Sequence, residues 1–226
     1  MKVSLISHTI ACHEDLDKVA DIGDLIAFCA RVSNPSNQLN TETNERLINY
    51  LIKHKHWSPF EMANVCLEIE TTRDIARQIL RHRSFTFQEF SQRYANPLQD
   101  LSYELREARL QDTKNRQNSI EVSNKELHVN WMAEQNRVWD SATRAYQWAI
   151  ENGIAKEVAR AVLPEGLTRS RMYVNGTIRS WIHFIETRTD PSTQKEHREI
   201  AYACAREIAQ IFPLINKFPS ENSNAK

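Results

Sequence analysis

Arginine is concentrated in one short segment, which reads Arg-Asp-Ile-Ala-Arg-Gln-Ile-Leu-Arg-His-Arg from Arg73 to Arg83. On a helix, Arg73, Arg77 and Arg81 would lie at i, i+4 and i+8 and would form one stripe of like charge. The segment contains a single acid, Asp74, although the 29 basic and 29 acidic residues of the chain balance. The pattern therefore predicts either a site for an anionic ligand or a solvated basic face that pairs with distant carboxylates.

The sequence directly after this segment, from Ser84 to Tyr94, places hydroxyl, amide and carboxylate groups and another arginine among four aromatic rings. Such a mixture can bind phosphate, sugar hydroxyls and a flat ring together. In the whole chain arginine outnumbers lysine by 19 to 10, which favours recognition of planar anions. The four glycines lie far apart, which excludes a glycine-rich dinucleotide loop and a Walker loop. A bound nucleotide must therefore be held by side chains or helix ends.

Other residue types that often carry catalysis give weaker signals. Ser91 has the chemistry of a nucleophile, but no nearby histidine and carboxylate form a pair to activate its hydroxyl, so we interpret it as a ligand-binding group. The four cysteines are scattered, which predicts neither disulfides nor a thiolate zinc site, and we expect them to be buried small residues. His54-x-His56 occurs without a His-Glu-x-x-His pattern, so no metal site is predicted.

The elements that must position these residues are mostly helices. The patterns predict a short strand at Val3–Ile6, a helix at Glu42–His54, a half-buried strand through Val65, Leu67 and Ile69, a helix from Thr72 to about Arg81, and helices at Asn124–Asn152, Glu157–Leu163 and Thr193–Ile211. Because the strands do not alternate regularly with helices, we predict an α+β fold that is rich in helix and has a small, mostly antiparallel sheet. We expect one domain over residues 1–226, with a disordered tail at 219–226.

The composition also limits the location and the partners of the protein. The longest apolar run has six residues, Leu25 to Ala30, which is too short for a transmembrane helix. The first residues have no apolar stretch typical of a secretory signal, so the cytosol is the expected location. Zero net charge counts against nucleic acid as a partner and gives no attraction to a membrane surface.

A specific resemblance rests on Arg81-His82-Arg83, followed after seven residues by Ser91. This arrangement resembles the Arg-His-Arg-x7-Ser motif of the flavin-dependent thymidylate synthases. Further segments are similar to that family, namely Ala30 to Ser33, His54 to Glu61, Glu157 to Pro164 and Ile178 to Gln194. Met62 departs from the family, many of whose members have histidine there. The resemblance covers roughly residues 28 to 205.

The resemblance implies an enzyme that converts dUMP into dTMP. Methylenetetrahydrofolate would supply the carbon, and FAD reduced by NADPH would supply the hydride. The family also implies an α+β fold and a homotetramer whose active sites form between subunits. A nucleotide phosphate, a flavin pyrophosphate, a reduced flavin and a deprotonated uracil are all anions, which suits the arginine-rich inventory.

Family positions carried over one by one give two groups of site residues. The residues implied to contact dUMP are Gln78, Arg81, Glu89, Ser91, Gln92, Arg93, Arg160 and Arg188. The residues implied to contact FAD are Ser33, His56, Ser58, Arg81, His82, Arg83, Glu89, Thr177, Arg179 and His183. Arg188 has the family position assigned to activation of the uracil ring, and is the expected catalytic residue. The alternative is a surface arginine paired with Glu186 or Asp190.

Two other functions remain open at this point. The segment from Arg73 to Arg93 could serve a protein that binds a nucleotide or nucleic acid without catalysis, although the neutral charge argues against nucleic acid. The chain could also be a flavoprotein of the same fold that acts on another substrate. Flavin colour and dTMP formation would separate the three hypotheses.

Overall fold

A four-stranded antiparallel sheet organises the computed structural model, which describes residues 1–12 and 19–220. Its strands are β1 (Lys2–His8), β2 (Asn64–Thr72), β3 (Thr86–Glu89) and β6 (Arg169–Thr177), in the order β1-β2-β6-β3. A separate hairpin pairs β4 (Arg109–Gln111) with β5 (Ser119–Glu121). The predicted α+β class with a small antiparallel sheet is confirmed.

Alternating burial explains why β2 is a central strand. Val65, Leu67 and Ile69 are fully buried, whereas Glu68 and Glu70 are half-buried on the other face. This is the two-residue period of a strand that covers a core on one side. The predicted strand is thus confirmed, and β6 pairs along its whole length in antiparallel register.

The part of the chain that the structure describes contains eight α-helices, of which α3, α7 and α8 contact the sheet. They are α1 (Ile22–Ala30), α2 (Asn44–Lys53), α3 (Arg73–Ile79), α4 (Pro97–Asp100), α5 (Lys125–Glu151), α6 (Lys156–Ala159), α7 (Ile178–Arg188) and α8 (Lys195–Ala209). Short 3-10 helices lie at Pro35–Asn37, Ser58–Glu61, Arg160–Val162 and Pro213–Lys217. The search for membrane-spanning helices, made over these described residues, finds none long and apolar enough to cross a bilayer.

The predicted helices are confirmed with shifted ends. The Asn124 side chain accepts from the backbone N–H of Leu127 at 3.1 Å and caps α5, and Gly153 follows the helix with a φ of 75°. The helix predicted to begin at Thr72 ends at Ile79 rather than near Arg81. Thr72 does not cap it, because its hydroxyl donates to the Asp74 carboxylate at 2.6 Å.

Two predictions at the ends of elements are wrong in detail. The helix predicted over Glu157–Leu163 is divided into α6 and a 3-10 turn, after which the chain turns extended at Leu163 ahead of Pro164. The predicted disordered tail does not begin at residue 219. The Ser220 N–H donates to Thr189 Oγ1 at 2.7 Å and its carbonyl accepts from Tyr202 at 2.8 Å. The remainder of that predicted tail, 221–226, lies outside the described residues.

Aromatic packing fixes α7 against the sheet. Trp181 is fully buried, its indole N–H donates to the Val65 carbonyl at 3.0 Å, and its ring lies 4.5 Å from that of Phe85. A Cβ atom at Gly176 would lie 2.2 Å from the Phe85 ring, so only glycine fits at this point of β6. This packing holds together the end of β6, the start of α7 and the loop after α3.

Candidate active site

A contact between an arginine and a histidine joins the end of α7 to the loop after α3. Arg188 Nε donates to His82 Nε2 at 2.8 Å. His82 is buried at 9% exposure, and burial, followed by the charges of Arg188 and His183, lowers its pKa to about 4. His82 is therefore neutral at pH 7, and Nε2 can accept because the remaining proton is on Nδ1.

The charge of Arg188 is not neutralised by a carboxylate. Within residues 1–12 and 19–220, no acidic side chain lies at ion-pair distance from it. The alternative pairing with Glu186 or Asp190 is therefore not observed there. Burial, and then the positive charge of Arg81, lower the pKa of Arg188. An arginine held by a neutral acceptor keeps its full charge for an anionic partner.

The predicted arginine stripe divides into two parts. Arg73 Nε and Arg77 Nε donate to the two oxygens of Glu165 at 3.1 and 2.6 Å. For these two, the alternative of pairing with a distant carboxylate is correct. Arg81 and Arg83 are exposed and make no ion pair with the described part of the chain. The two arginines that remain for a ligand, Arg81 and Arg83, therefore lie in the loop after α3 and not on the helix itself.

A cavity of about 450 Å³ lies beside these residues. Its lining comprises Trp57, Glu61, Ser84, Arg179, Ser180, Ile182, His183 and Glu186. Arg179 forms an ion pair with Glu61, and the His183 ring lies 6.4 Å from that of His82. Arg179 and His183, which are predicted to contact FAD, thus line the cavity. His82, also predicted to contact FAD, lies next to His183.

Several predicted dUMP ligands already have partners within the chain. Arg93 lies 3.3 Å from the Glu157 carboxylate, and Arg160 donates to the Glu157 carbonyl at 3.3 Å. The Ser91 hydroxyl accepts from the backbone N–H of Arg93 at 3.4 Å. Gln92 is buried, and its Nε2 atom has no hydrogen-bond partner among the residues described. Arg93 and Arg160 therefore both contact Glu157, and Ser91 contacts the backbone of Arg93.

Gln78 and Glu89 have partners of their own. Gln78 Nε2 donates to Gln194 at 2.8 Å. Glu89 accepts from the Ser170 hydroxyl at 2.7 Å and lies 3.6 Å from Arg73. Glu89 is thus connected to the paired arginines rather than to Arg81 or Arg83.

The other predicted FAD residues lie at the surface or at the start of α7. Ser33, Ser58 and His56 are exposed, and the nearest aromatic neighbours of His56 are Tyr50 and His54, both at 6.1 Å. Over the ranges that the structure covers, no hydrogen bond or ion pair joins these three to the cavity residues. The Thr177 hydroxyl caps α7 by accepting from the Ser180 N–H at 3.2 Å. His56 and Ser58 nevertheless flank Trp57 of the cavity lining in the sequence.

The cysteines carry no sign of catalytic activation. Burial raises the pKa of the Cys29, Cys66 and Cys204 thiols, which is the opposite of what a nucleophilic thiolate needs. Cys12 is exposed and Cys29 and Cys66 are half-buried, so the expectation of buried cysteines is correct for Cys204 alone. A search of the described residues finds no group of three histidine, cysteine or acidic side chains that could hold a metal ion.

Sequence reasoning missed the residues behind Gln78. His197 Nδ1 lies 3.2 Å from Gln78 Oε1, and Gln194 accepts from the other end of the same amide. Both lie at the start of α8, three residues apart, and so on one face of the chain there. The three-residue spacing of Gln194 and His197 could have shown from the sequence that they share a face. It does not show that this face contacts Gln78 of α3.

Comparison with known proteins identifies the family. The family model of the thymidylate synthase complementing proteins matches residues 16–214. A probable flavin-dependent thymidylate synthase of Paramecium bursaria Chlorella virus 1 is 46% identical over 217 residues, which are 96% of this chain and 98% of that protein. The flavin-dependent thymidylate synthase of Synechocystis is 48% identical over 191 residues, 84% of this chain and 86% of that one.

A solved structure extends the likeness to the fold. The crystal structure of a UMP/dUMP methylase from Streptomyces cacaoi, bound with 5-Br dUMP, superposes with a TM-score of 0.77 at 23% identity. The alignment covers 96% of this chain and 93% of that one. The two chains thus share one fold. The chain belongs to the thymidylate synthase complementing protein family, and the resemblance predicted from the Arg-His-Arg motif is confirmed.

Proposed function

We propose that this protein is a flavin-dependent thymidylate synthase, which converts dUMP into dTMP with methylenetetrahydrofolate as carbon donor and NADPH as reductant. The observation that carries the proposal is the set of unneutralised cations Arg81, Arg83 and Arg188 around the neutral His82. Such a set needs anionic ligands, and both substrate and flavin are anionic. The names of the two most similar relatives given above support the same activity.

The residues around the cavity suit FAD. Arg81 and Arg83 offer exposed guanidinium groups that have no carboxylate partner among the described residues, as a pyrophosphate held without a glycine loop requires. Arg179, His183 and Trp57 line a space that is part polar and part aromatic, which suits a flat ring. Bound FAD would supply the reducing equivalents that convert the transferred carbon into a methyl group. Ser33, His56, Ser58, Thr177 and Glu89 complete the proposed FAD set.

The residues around Glu157 suit the phosphate of dUMP. Arg93 and Arg160 both contact this one acidic residue, and the Ser91 hydroxyl lies beside Arg93. A phosphate dianion can replace the exposed Glu157 carboxylate as the partner of Arg93, because charge-assisted contacts to phosphate are stronger than exposed ion pairs. Gln78, Arg81, Glu89 and Gln92 complete the proposed nucleotide set, with Ser91 acting as a ligand rather than a nucleophile.

Arg188 is the proposed catalytic residue. Its guanidinium is held by His82 and not neutralised, so it can stabilise a uracil ring that has lost its N3 proton. The negative charge of that ring makes C5 electron-rich, which prepares C5 to accept the carbon without a cysteine nucleophile. His82 stays neutral and holds the Arg188 Nε proton, which leaves the other guanidinium donors for the substrate.

The oligomer, the domain organisation and the location are further parts of the proposal. We propose one catalytic domain over residues 1–226, in a cytoplasmic homotetramer whose sites are shared between subunits. The exposed Ser33 makes no hydrogen bond or ion pair with the cavity residues in the described part of the chain, which supports a shared site that a partner chain could complete. The exposed Trp148 and Val138 of α5 support an interface on that helix. Sedimentation of the active species tests the assembly, and a monomer would contradict it.

One assay tests the activity. The purified protein should contain or bind FAD, and should form dTMP from dUMP only when NADPH and methylenetetrahydrofolate are both present. Flavin binding without dTMP formation would instead favour a flavoprotein with another substrate. Nucleotide binding without either would favour a protein that binds without catalysis.

A further inference from the structure

A chain of four polar side chains lies behind Gln78, which belongs to the proposed dUMP site. Glu196 Oε2 accepts from Gln194 Nε2 at 2.9 Å, and Gln194 Oε1 accepts from Gln78 Nε2 at 2.8 Å. At the far end, Gln78 Oε1 lies 3.2 Å from His197 Nδ1. The chain thus connects a carboxylate on α8, through two amides, to a histidine on the same helix.

A fixed negative charge sets the direction of every hydrogen bond in this chain. The pKa of Glu196 is lowered, since its contacts with Arg109 and Arg106 outweigh burial, and its side chain is 8% exposed. A carboxylate only accepts, so Gln194 must present its NH2 group to Glu196 and its carbonyl to Gln78. Gln78 must then present its NH2 group to Gln194 and its carbonyl to His197. His197 must therefore carry its proton on Nδ1.

His197 is suited to this one contact. It is fully buried, its ring lies 5.7 Å from Phe184, and its Nε2 atom has no hydrogen-bond partner in the part of the chain that is described. Burial, and then the charges of Arg188 and His82, lower its pKa to about 3, so the ring is neutral. A neutral imidazole has one N–H group, and the geometry directs it to the Gln78 carbonyl.

We infer that His197 is a positioning residue for nucleotide binding, which holds the Gln78 amide in one orientation by donating Nδ1–H to its carbonyl oxygen. The second N–H and the second lone pair of the Gln78 amide then face the ligand with fixed polarity. Without the donor, the half-buried carbonyl loses its partner, and the amide can rotate away from the orientation that Gln194 favours. The inference rests on the proposed function, since it takes dUMP as the ligand of Gln78.

A double-mutant cycle tests whether His197 acts through Gln78. His197→Phe keeps a buried ring but removes the donor, and should weaken dUMP binding about tenfold in the FAD-loaded enzyme. His197→Asn places an amide N–H near the position of Nδ1, and should stay within about threefold of the parent. In a Gln78→Leu background, His197→Phe should cause no further loss. FAD content and thermal stability serve as controls for a general structural effect.

An equal effect of His197→Phe in both backgrounds, or equal losses for Phe and Asn, would overturn the inference. Failure of the parent enzyme to bind dUMP would instead overturn the proposed function, so the two failures are distinguishable. Should the Phe variant not fold, nitrogen NMR of the parent gives the tautomer directly, with His197→Asn used for assignment. A proton on Nδ1 is the expected result, and a proton on Nε2 would contradict the inference.

Discussion

The two ends of the arginine-rich segment differ in how their charges are balanced. Arg73 and Arg77, both within α3, share the carboxylate of Glu165. Arg81 and Arg83, directly after the helix, have no ion pair within residues 1–12 and 19–220. The residue type is the same at both ends. The difference comes from one acidic residue, which lies 92 positions after Arg73 in the sequence.

Within this segment, the distance to a carboxylate, rather than the spacing along the helix, separates Arg73 and Arg77 from Arg81 and Arg83, and we propose that only the second pair binds ligands. Arg73 is buried at 9% exposure and holds α3 to the segment that precedes β6. Arg188 belongs with the second group, because a neutral histidine is its partner. Changes to the paired group should therefore alter stability, and changes to the unpaired group should alter binding and catalysis.

The largest effect is expected at Arg188. Arg188→Ala should lower dTMP turnover by roughly a hundredfold or more, because a fixed donor to a developing anion is worth about 3 to 4 kcal/mol. Reduction of the flavin by NADPH should stay near the parental rate, which stopped-flow absorbance measures. Lysine should rescue poorly, since an ammonium lacks the planar pair of donors. Turnover close to the parental rate in Arg188→Ala would assign the activation of uracil to another residue.

The next effect concerns retention of FAD. Replacing Arg81 and Arg83 together by alanine should weaken FAD binding by at least about 2 kcal/mol, since each charge-assisted contact contributes roughly 1.5 to 3 kcal/mol. Arg77→Ala is the matched control, because Arg77 lies on the same segment but is paired with Glu165. Flavin occupancy after gel filtration measures the difference. Equal flavin occupancy in the double variant and in Arg77→Ala would show that the unpaired arginines do not bind FAD more strongly than the paired ones.

Acid should lower the stability of the fold through the two buried neutral histidines, His82 and His197. The folded state holds the pKa of His82 at about 4 and that of His197 at about 3, below the ordinary value of 6.5. The unfolded chain therefore takes up protons first as the pH falls. Their contribution to stability is complete above about pH 6.5 and is lost progressively below it, by about 2 kcal/mol for His82 at pH 5. Urea unfolding at pH 7.5 and pH 5 measures this loss, and equal stability at both would contradict it.

Replacing each of the two paired arginines by alanine should change the free energy of unfolding by different amounts. Arg73→Ala should lower the free energy of unfolding by about 2 kcal/mol, because it removes a buried cation between Glu165 and Glu89. Arg77→Ala should cost less than about 1 kcal/mol, because its side chain is 59% exposed. Chemical denaturation of the two variants gives both values. Equal losses would show that burial does not set the strength of these pairs.

The smallest effect is expected at Ser91. Ser91→Ala should raise the KM for dUMP several-fold, as expected for one lost hydrogen bond of about 1 kcal/mol, and should leave turnover measurable. A covalent nucleophile would behave differently, since alanine would remove the step entirely. Steady-state kinetics over a range of dUMP concentrations separates the two roles. Loss of all activity with normal dUMP affinity would reject the role of a ligand.

An apolar stripe was not enough on its own, since α7 was missed although Ile178, Trp181 and Ile185 lie at helical spacing. Where the stripe came with caps, the helix was predicted. The long helix α5 has Trp139, Ala142 and Tyr146 at helical spacing, and its caps mark both ends. By contrast, α1 contains the run Leu25 to Ala30, which is apolar on every side and so has no period of its own. The β6 strand was missed because its inward positions include Ser170 as well as Met172, which weakens the alternation.

The residues of the candidate site could be predicted where a motif or the chemistry of the side chains identifies them, but their partners could not. The Arg-His-Arg motif and Arg188 were identified from the sequence, and the structure joins them through His82. The partners that decide their roles lie far away in sequence. Glu165 neutralises Arg73 and Arg77, and His197 supports Gln78 across 119 positions. Long-range pairs of this kind depend on how the elements pack, which local patterns do not encode.

The contact between Arg188 and His82 spans 106 positions, and this separation has a consequence for biosynthesis. A contact so distant in sequence forms only after the intervening chain has folded back on itself, at an entropic cost that local contacts avoid. A nascent chain emerging from the ribosome therefore carries the Arg-His-Arg motif long before it carries a competent site. Premature termination before α7 leaves a polypeptide with the Arg-His-Arg motif but without Arg188, the partner of His82.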